Sequence, residues 1–342
     1  MSRHNEVFQS SQMYSGIDES NLPEYQLDML NKLKEYNETA FERGQQGLLT
    51  GFPLFDEKLG GIQPGLILLA ADANMGKSAV CAQMARQMAH NNENLYVIYM
   101  SLDDNFKTIL PRFIASDQRI PIDVAKFPSK YDMPETMTLI ERYVTGMSRL
   151  LRDVPRFKIL DSNESQDIER LQEIIEEHLQ AFAAEHNPDK KLVVFVDNFH
   201  DLKSRDVSFT SNNNKYEYMA EVLKEMVSMY DIPIICTAEI RKVDGKRPST
   251  DDIRETVKIK FESNLILLLY NEVGIKDQAA KVFYQANSED ISKRPVIEMH
   301  WAKNKISSYK GRTYYLFHPE HSYLQEVPAV DQPYYDSKVY AS

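Results

Sequence analysis

The chain has 342 residues, 42% hydrophobic and 27% charged, which are the proportions of a soluble globular protein long enough for a full α/β core in one or two domains. No apolar run approaches a membrane span and the N-terminus lacks a signal peptide's apolar stretch, so a cytoplasmic protein with no membrane partner is expected. A formal net charge of −11 excludes a protein coated with nucleic acid while leaving room for a localised basic groove, and two cysteines, Cys81 and Cys236, exclude a disulfide framework or a multi-cysteine zinc site.

Residues 1–22 are polar and irregular and read as mobile. From Pro23 to about Arg43 a helical period sets Tyr25, Leu27, Leu30, Leu33 and Tyr36 among charges. Such a stripe packs either on its own domain or on a neighbouring subunit. Residues 1–45 are therefore read as a flexible N-terminus and linker helix, 46–328 as the main domain and 329–342 as a C-terminal tail.

Within the main domain, strands expected at 66–71, 95–101, 157–160, 191–197, 232–238, 264–270, 296–302 and 313–317 alternate at first with helices near 78–90, 104–117, 134–151, 165–186 and 214–230. Near-continuous apolar strands separated by amphipathic helices predict a mostly parallel sheet covered by helices on both faces. The later strands lack long intervening helices and are expected to close the sheet with antiparallel pairs. The patch Ser211-Asn212-Asn213-Asn214 reads as a loop tip.

The first strand carries the chemistry. Leu66 to Ala71 runs into Asp72-Ala73-Asn74-Met75-Gly76-Lys77-Ser78-Ala79 and then a helical segment, the context of a phosphate-binding loop. Backbone N–H groups from Ala73 through Ala79 would face a triphosphate, with Lys77 on its outer phosphates and the Ser78 hydroxyl on Mg²⁺. The usual opening glycine is replaced by Ala71, which serves only if its φ stays negative. A second Mg²⁺ ligand is expected at Asp197, which ends the apolar run Leu192 to Val196. For the carboxylate that polarises the attacking water, Asp103 and Asp104 both follow the 95–101 strand, which is expected beside the loop-bearing strand. Capping the next helix is the other use for either. His318 and His321 flank Pro319-Glu320, and with no third ligand nearby they read as a surface turn.

Taken together, several blocks resemble the motor domain of DnaB-type replicative helicases. They are Thr50 to Gly61, the Met-Gly-Lys-Ser loop, Ser101-Leu102-Asp103, Val196-Asp197, Thr237 to Arg241, Lys246-Arg247-Pro248 through Glu255, and Ala302 to Lys305 through Gly311, in the family's order. The resemblance covers about residues 46 to 328 and implies a RecA-like P-loop NTPase fold, a hexameric ring, ATP with Mg²⁺ between subunits and single-stranded DNA in the pore. It also implies roles. Lys77, Ser78 and Asp197 match the nucleotide and metal residues; Asp103 stands where the family has a catalytic Glu, Glu239 where it has a phosphate-sensing Gln, and Lys305 where it has an arginine finger, with Lys303 as the accompanying Lys. Lysine keeps the charge of arginine and loses its bidentate fork.

Residues 241–260 hold seven Lys or Arg against four acids, and Lys303, Lys305, Lys310 and Arg312 form a second basic segment read as free of nearby acids. Such charges track a phosphate backbone without reading bases. The resemblance puts Arg254 and Glu255 in the DNA-gripping loop, with Lys258 and Lys260 beside them and Val257 where the family favours Gly. Only about 45 residues precede the core, so a stand-alone motor of phage, plasmid or mobile-element type is expected, with a loader or replication partner. The expected function is an ATP-driven ring that translocates on single-stranded DNA and unwinds duplex. The alternative is an ATP-gated assembly or nucleic-acid-binding module with slow turnover.

Overall fold

The computed structural model describes residues 17–42, 47–185, 189–242, 245–253, 257–286 and 291–340. The chain divides into two units, at Gly47 and Leu48. In the first, Pro23 opens helix α1 (Glu24–Glu42), with its fixed φ suited to a helix start, and Tyr25, Leu33 and Tyr36 of the apolar stripe are exposed. The expectation for residues 1–16 lies outside the described residues.

The second unit opens with α2 (Pro53–Leu59), closed by Gly60 at φ 80°. Then come β1 (Gly65–Ala71), α3 (Lys77–Asn91), β2 (Leu95–Ser101), α4 (Phe106–Gln118), α5 (Ile122–Lys126), α6 (Met137–Asp153), β3 (Phe157–Asp161) and α7 (Ile168–Ala184). The chain continues through β4 (Lys191–Asp197), α8 (Asn212–Tyr230), β5 (Pro233–Glu239), α9 (Lys258–Glu262), β6 (Leu265–Asn271), α10 (Glu272–Lys276) and β7 (Phe283–Tyr284). It ends with β8 (Arg294–Asn304), β9 (Arg312–His318), β10 (Tyr323–Glu326) and α11 (Gln332–Tyr340).

Among the described residues the sheet has ten strands in the order β10-β9-β8-β6-β1-β5-β4-β2-β3, with β7 added to β8. The run from β6 to β3 is parallel, and β8, β9 and β10 join antiparallel, as expected from the missing helices between them. Because side chains alternate along a strand, Ile67, Leu69 and Ala71 of β1 join one apolar cluster with α3 and α4. Leu66, Leu68 and Ala70 join the other with α7 and α8. The fold is thus an α/β, RecA-like core with helices on both faces.

Three local readings change. Asn105, not Asp103 or Asp104, caps α4 by accepting from Thr108 N at 3.2 Å, so that helix begins two residues later than expected and both aspartates stay in the turn. Ser211 accepts from Asn214 N at 3.2 Å, so the asparagine patch opens α8 instead of forming a loop tip. In the segment read as a tail, Tyr335 and Val339 of α11 are buried with Val282, Val296 and Tyr314.

Candidate nucleotide site and basic surface

Parallel strands present their C-terminal ends along one edge, and the loops there build the site. Ala71 pairs with Glu239 at the end of β1, and its φ is not positive, so the position does not need the missing glycine. Left-handed conformations fall instead on Asn74 (φ 60°) and Gly76 (φ 91°). At Gly76 the angle demands glycine, and a Cβ would stand 2.7 Å from Ile297 Cδ1, which would have to shift. The 15-residue helix α3 starts at Lys77 and aims its N-terminus at the cavity. The Lys77 ammonium donates to Ala71 O and Asp72 O, both at 3.0 Å. Burial lowers its pKa, while Glu239, Asp197, Asp72 and Asp103 pull it back up.

Asp197 ends β4 and is 6% exposed. Its carboxylate accepts from Tyr99 OH at 3.0 Å and Thr237 Oγ1 at 2.5 Å, which sets its orientation. The expected adjacency of β2 to β1 is corrected, because β5 and β4 stand between them. Asp103 still reaches the site, since Leu102 N bonds to Asp197 O at 2.6 Å and ties the turn after β2 to the end of β4. Asp104 is half-buried, pairs with Arg112 Nη2 at 3.2 Å and is pushed up first by burial, whereas Asp103 is exposed toward the cavity.

These groups surround one cavity of about 460 Å³ lined by Ala73, Asn74, Gly76, Lys77, Ser78 and Ala79 of the loop and helix, with Asp103, Asp104, Asp197 and Glu239 opposite. Arg112, Lys126, Phe317, Pro319 and Ser322 also line it. Burial also raises Asp201, with acidic neighbours Asp103, Glu239 and Asp197 adding to it. A site with this many carboxylates around the half-buried Lys77 suits a divalent cation. Arg112 and Lys126 were missed in sequence; the signal was a charge at 112 between the buried Ile109 and Phe113 of α4.

Other expected site residues stand elsewhere. Met75 is 6% exposed and belongs to the apolar cluster, so its side chain does not face the cavity. Lys303 Nζ donates to Lys260 O and Phe261 O, and burial with Lys305 nearby lowers its pKa to about 8. Lys305 is exposed, and its N–H bonds Asn264 O at 2.9 Å, at the strand end opposite the cavity. Asn264 is level with Leu66, and five residues at about 3.3 Å each separate that level from Ala71, so neither lysine reaches the cavity of its own chain.

Arg254 and Glu255 lie outside the described residues. Lys258 pairs with Glu221 at 2.7 Å and Lys260 with Asp251 at 3.2 Å, surface pairs weak enough to be exchanged. Arg241, Lys242 and Lys246 are exposed. Arg247 is spent internally: Nε and Nη2 each bond the Glu298 carboxylate at 2.7 Å, and the guanidinium lies 5.1 Å over the Tyr270 ring. The second basic segment is not free of acids, because Arg312 Nε stands 3.8 Å from Glu298.

A model of the DnaB-like helicase C terminal domain matches residues 47–314. The chain belongs to that family. Its DnaB-like relatives include the replicative DNA helicase DnaB of Haemophilus influenzae, 24% identical over 275 residues, covering 77% of this chain and 51% of the relative. A probable replicative DNA helicase of Trieres chinensis is 22% identical over 267 residues, covering 76% and 53%. The chain thus spans about half the length of these relatives. Among solved structures, one separately solved ATPase domain superposes with TM-score 0.70 at 21% identity, covering 88% of this chain and 98% of that one. A DnaB-like replicative helicase studied with primase gives 0.69 at 20% identity, covering 88% and 66%. Both share the fold of this chain's DnaB-like domain. Among the described residues no helix is long and apolar enough to cross a membrane.

Proposed function

We propose that this DnaB-like chain hydrolyses ATP and uses the cycle to move a homo-hexameric ring along single-stranded DNA, unwinding duplex ahead of it. The observation that carries the reading is the cavity that joins Lys77, Ser78, Asp103, Asp197 and Glu239 at the strand ends. In it the loop N–H groups and Lys77 bind the phosphates, and Asp103 polarises the water. Ser78 and Asp197 would hold Mg²⁺, which when bound neutralises phosphate charge.

Lys305, with Lys303 behind it, acts on the nucleotide of the neighbouring subunit, a role supported by its distance from its own cavity. DNA is held by Arg254, Glu255, Lys258 and Lys260. Glu239 lines the cavity and the next residue, Ile240, bridges to Ile253, which precedes Arg254 in the sequence. The protein works in the cytoplasm with a loader or replication partner.

The test is ATP turnover with and without single-stranded DNA in the intact chain and in Lys77→Ala. DNA-stimulated turnover that Lys77→Ala abolishes is expected, and wild-type-like turnover in that variant refutes the site. One observation favours the slow, ATP-gated module as a second reading. Asp103 presents a carboxylate one methylene shorter than a glutamate, and turnover unmoved by DNA despite ATP-dependent assembly would select it.

A further inference from the structure

Strand β9 ends at His318, and the chain turns through Pro319, Glu320 and His321 to Ser322, whose φ of 49° turns it into β10. Fixed by strands on both sides, this turn gathers two imidazoles and a carboxylate. One donor atom from each of His318, Glu320 and His321 lies within 4.8 Å of the other two. The expectation of a turn without a third ligand is corrected here, because Glu320 supplies it. The two rings lie 18° from parallel with centroids 6.2 Å apart, and His318 Nδ1 is 4.0 Å from Glu320 Oε1. Ligand atoms about 2.0 Å from a tetrahedral ion stand roughly 3.3 Å from each other, so the three atoms must draw in by up to about 1.5 Å to close the set.

We propose that His318, Glu320 and His321 form a binding site for a borderline transition-metal ion of the Zn²⁺ class, leaving one position for water or another group. Tyr284 OH, 3.2 Å from His318 Nδ1, takes up that nitrogen as the outer partner, so Nε2 is the one that ligates once the ring turns. Selectivity follows from the surroundings. Arg294 and Arg119 face His318 and oppose any dication, and a lone carboxylate offers little to Mg²⁺, whereas imidazole nitrogen bonds Zn²⁺, Co²⁺ or Ni²⁺ strongly enough to offset that repulsion. The site is separate from the proposed Mg²⁺ ligands Ser78 and Asp197, yet Pro319 and Ser322 of the same turn line the nucleotide cavity. An ion bound there stiffens that wall and alters nucleotide affinity; this last clause alone rests on the nucleotide reading.

The experiment is titration of the untagged full chain with Zn²⁺ by calorimetry, and with Co²⁺ by visible absorbance, in buffer containing excess Mg²⁺. Saturable uptake of one ion per chain at the turn is expected. His321→Ala should weaken it about 100-fold or more through loss of a ligand, and Tyr284→Phe about 10-fold through loss of the outer partner. Both buried cysteines are poor competitors. His321 is half-buried and its replacement leaves the apolar clusters intact; a matching thermal melt of metal-free protein shows that folding is kept. If His321→Ala fails to fold, a rise in the wild-type melting temperature with Zn²⁺ that Glu320→Gln abolishes supports the site in its place. No saturable uptake below about 100 µM, or uptake that survives replacement of both histidines, overturns the site. Zinc uptake with unchanged ATP affinity overturns the wall role, and failure to bind ATP with or without zinc counts against the nucleotide reading instead.

Discussion

Arg247→Met is expected to destabilise the fold by about 3 kcal/mol, the lower end of the 3–5 kcal/mol for removing one partner of a buried ion pair. Glu298 is 1% exposed, and its two oxygens accept from Arg247 at 2.7 Å each, so the variant leaves a buried carboxylate short of its main counter-charge. The lower end applies because Arg247 itself is 18% exposed and Arg312 Nε remains 3.8 Å from the carboxylate. For a unit of this size that loss lowers Tm by roughly 5 °C. Burial raises the Glu298 pKa above its unfolded value, and Arg247 is the main group holding it down. A raised carboxyl pKa means the native state keeps its proton to higher pH. Stability from this group therefore falls as pH rises from the unfolded pKa through the folded one. Removing Arg247 lifts the folded pKa further, so the variant's deficit should be larger at pH 7.5 than at pH 5.5. Thermal and urea unfolding followed by circular dichroism at the two pH values measure both effects. Arg247→Met/Glu298→Met should recover most of the loss, because apolar pairs replace buried ion pairs at little cost. A loss below about 1 kcal/mol, or a double variant no more stable than the single, refutes this account of the pair.

Asp103→Asn should keep ATP affinity and lose turnover, whereas Asp104→Asn should act mainly through its Arg112 partner; turnover killed only by the latter shifts the catalytic role by one residue. Gly76→Ala should weaken nucleotide binding and cost about 1–2 kcal/mol for the left-handed angle alone, with Ile297 Cδ1 2.7 Å from the new Cβ; unchanged ATP affinity in an equilibrium titration would contradict the loop geometry. Mixing Lys305→Ala with Lys77→Ala chains should restore part of the turnover that each lacks alone, because some interfaces then pair an intact loop with an intact lysine. No recovery despite demonstrated co-assembly removes the role in trans.

Local chemistry written in consecutive residues was legible without the fold. The apolar run into Gly76-Lys77-Ser78, the strand ending in Asp197 and the strand–helix alternation each depend on neighbours within a few positions, and the structure has them where they were expected. The parallel sheet was legible for the same reason, since strands covered on both faces must be apolar throughout.

What depends on strand order was not. The insertion of β5 and β4 between β1 and β2 sets the order of the carboxylates along the strand ends, which no local pattern states, although the resemblance already put Asp103, Asp197 and Glu239 in the site. Arg247 left the basic surface for Glu298 through a pairing across 51 residues that no local period encodes. Burial likewise put the Met75 side chain in the apolar cluster, and strand register put Lys305 far from its own chain's loop. Sequence determined which residues could carry charge, bend or pack; the tertiary structure alone decided which charges face one another, because that is set by contacts between segments distant along the chain.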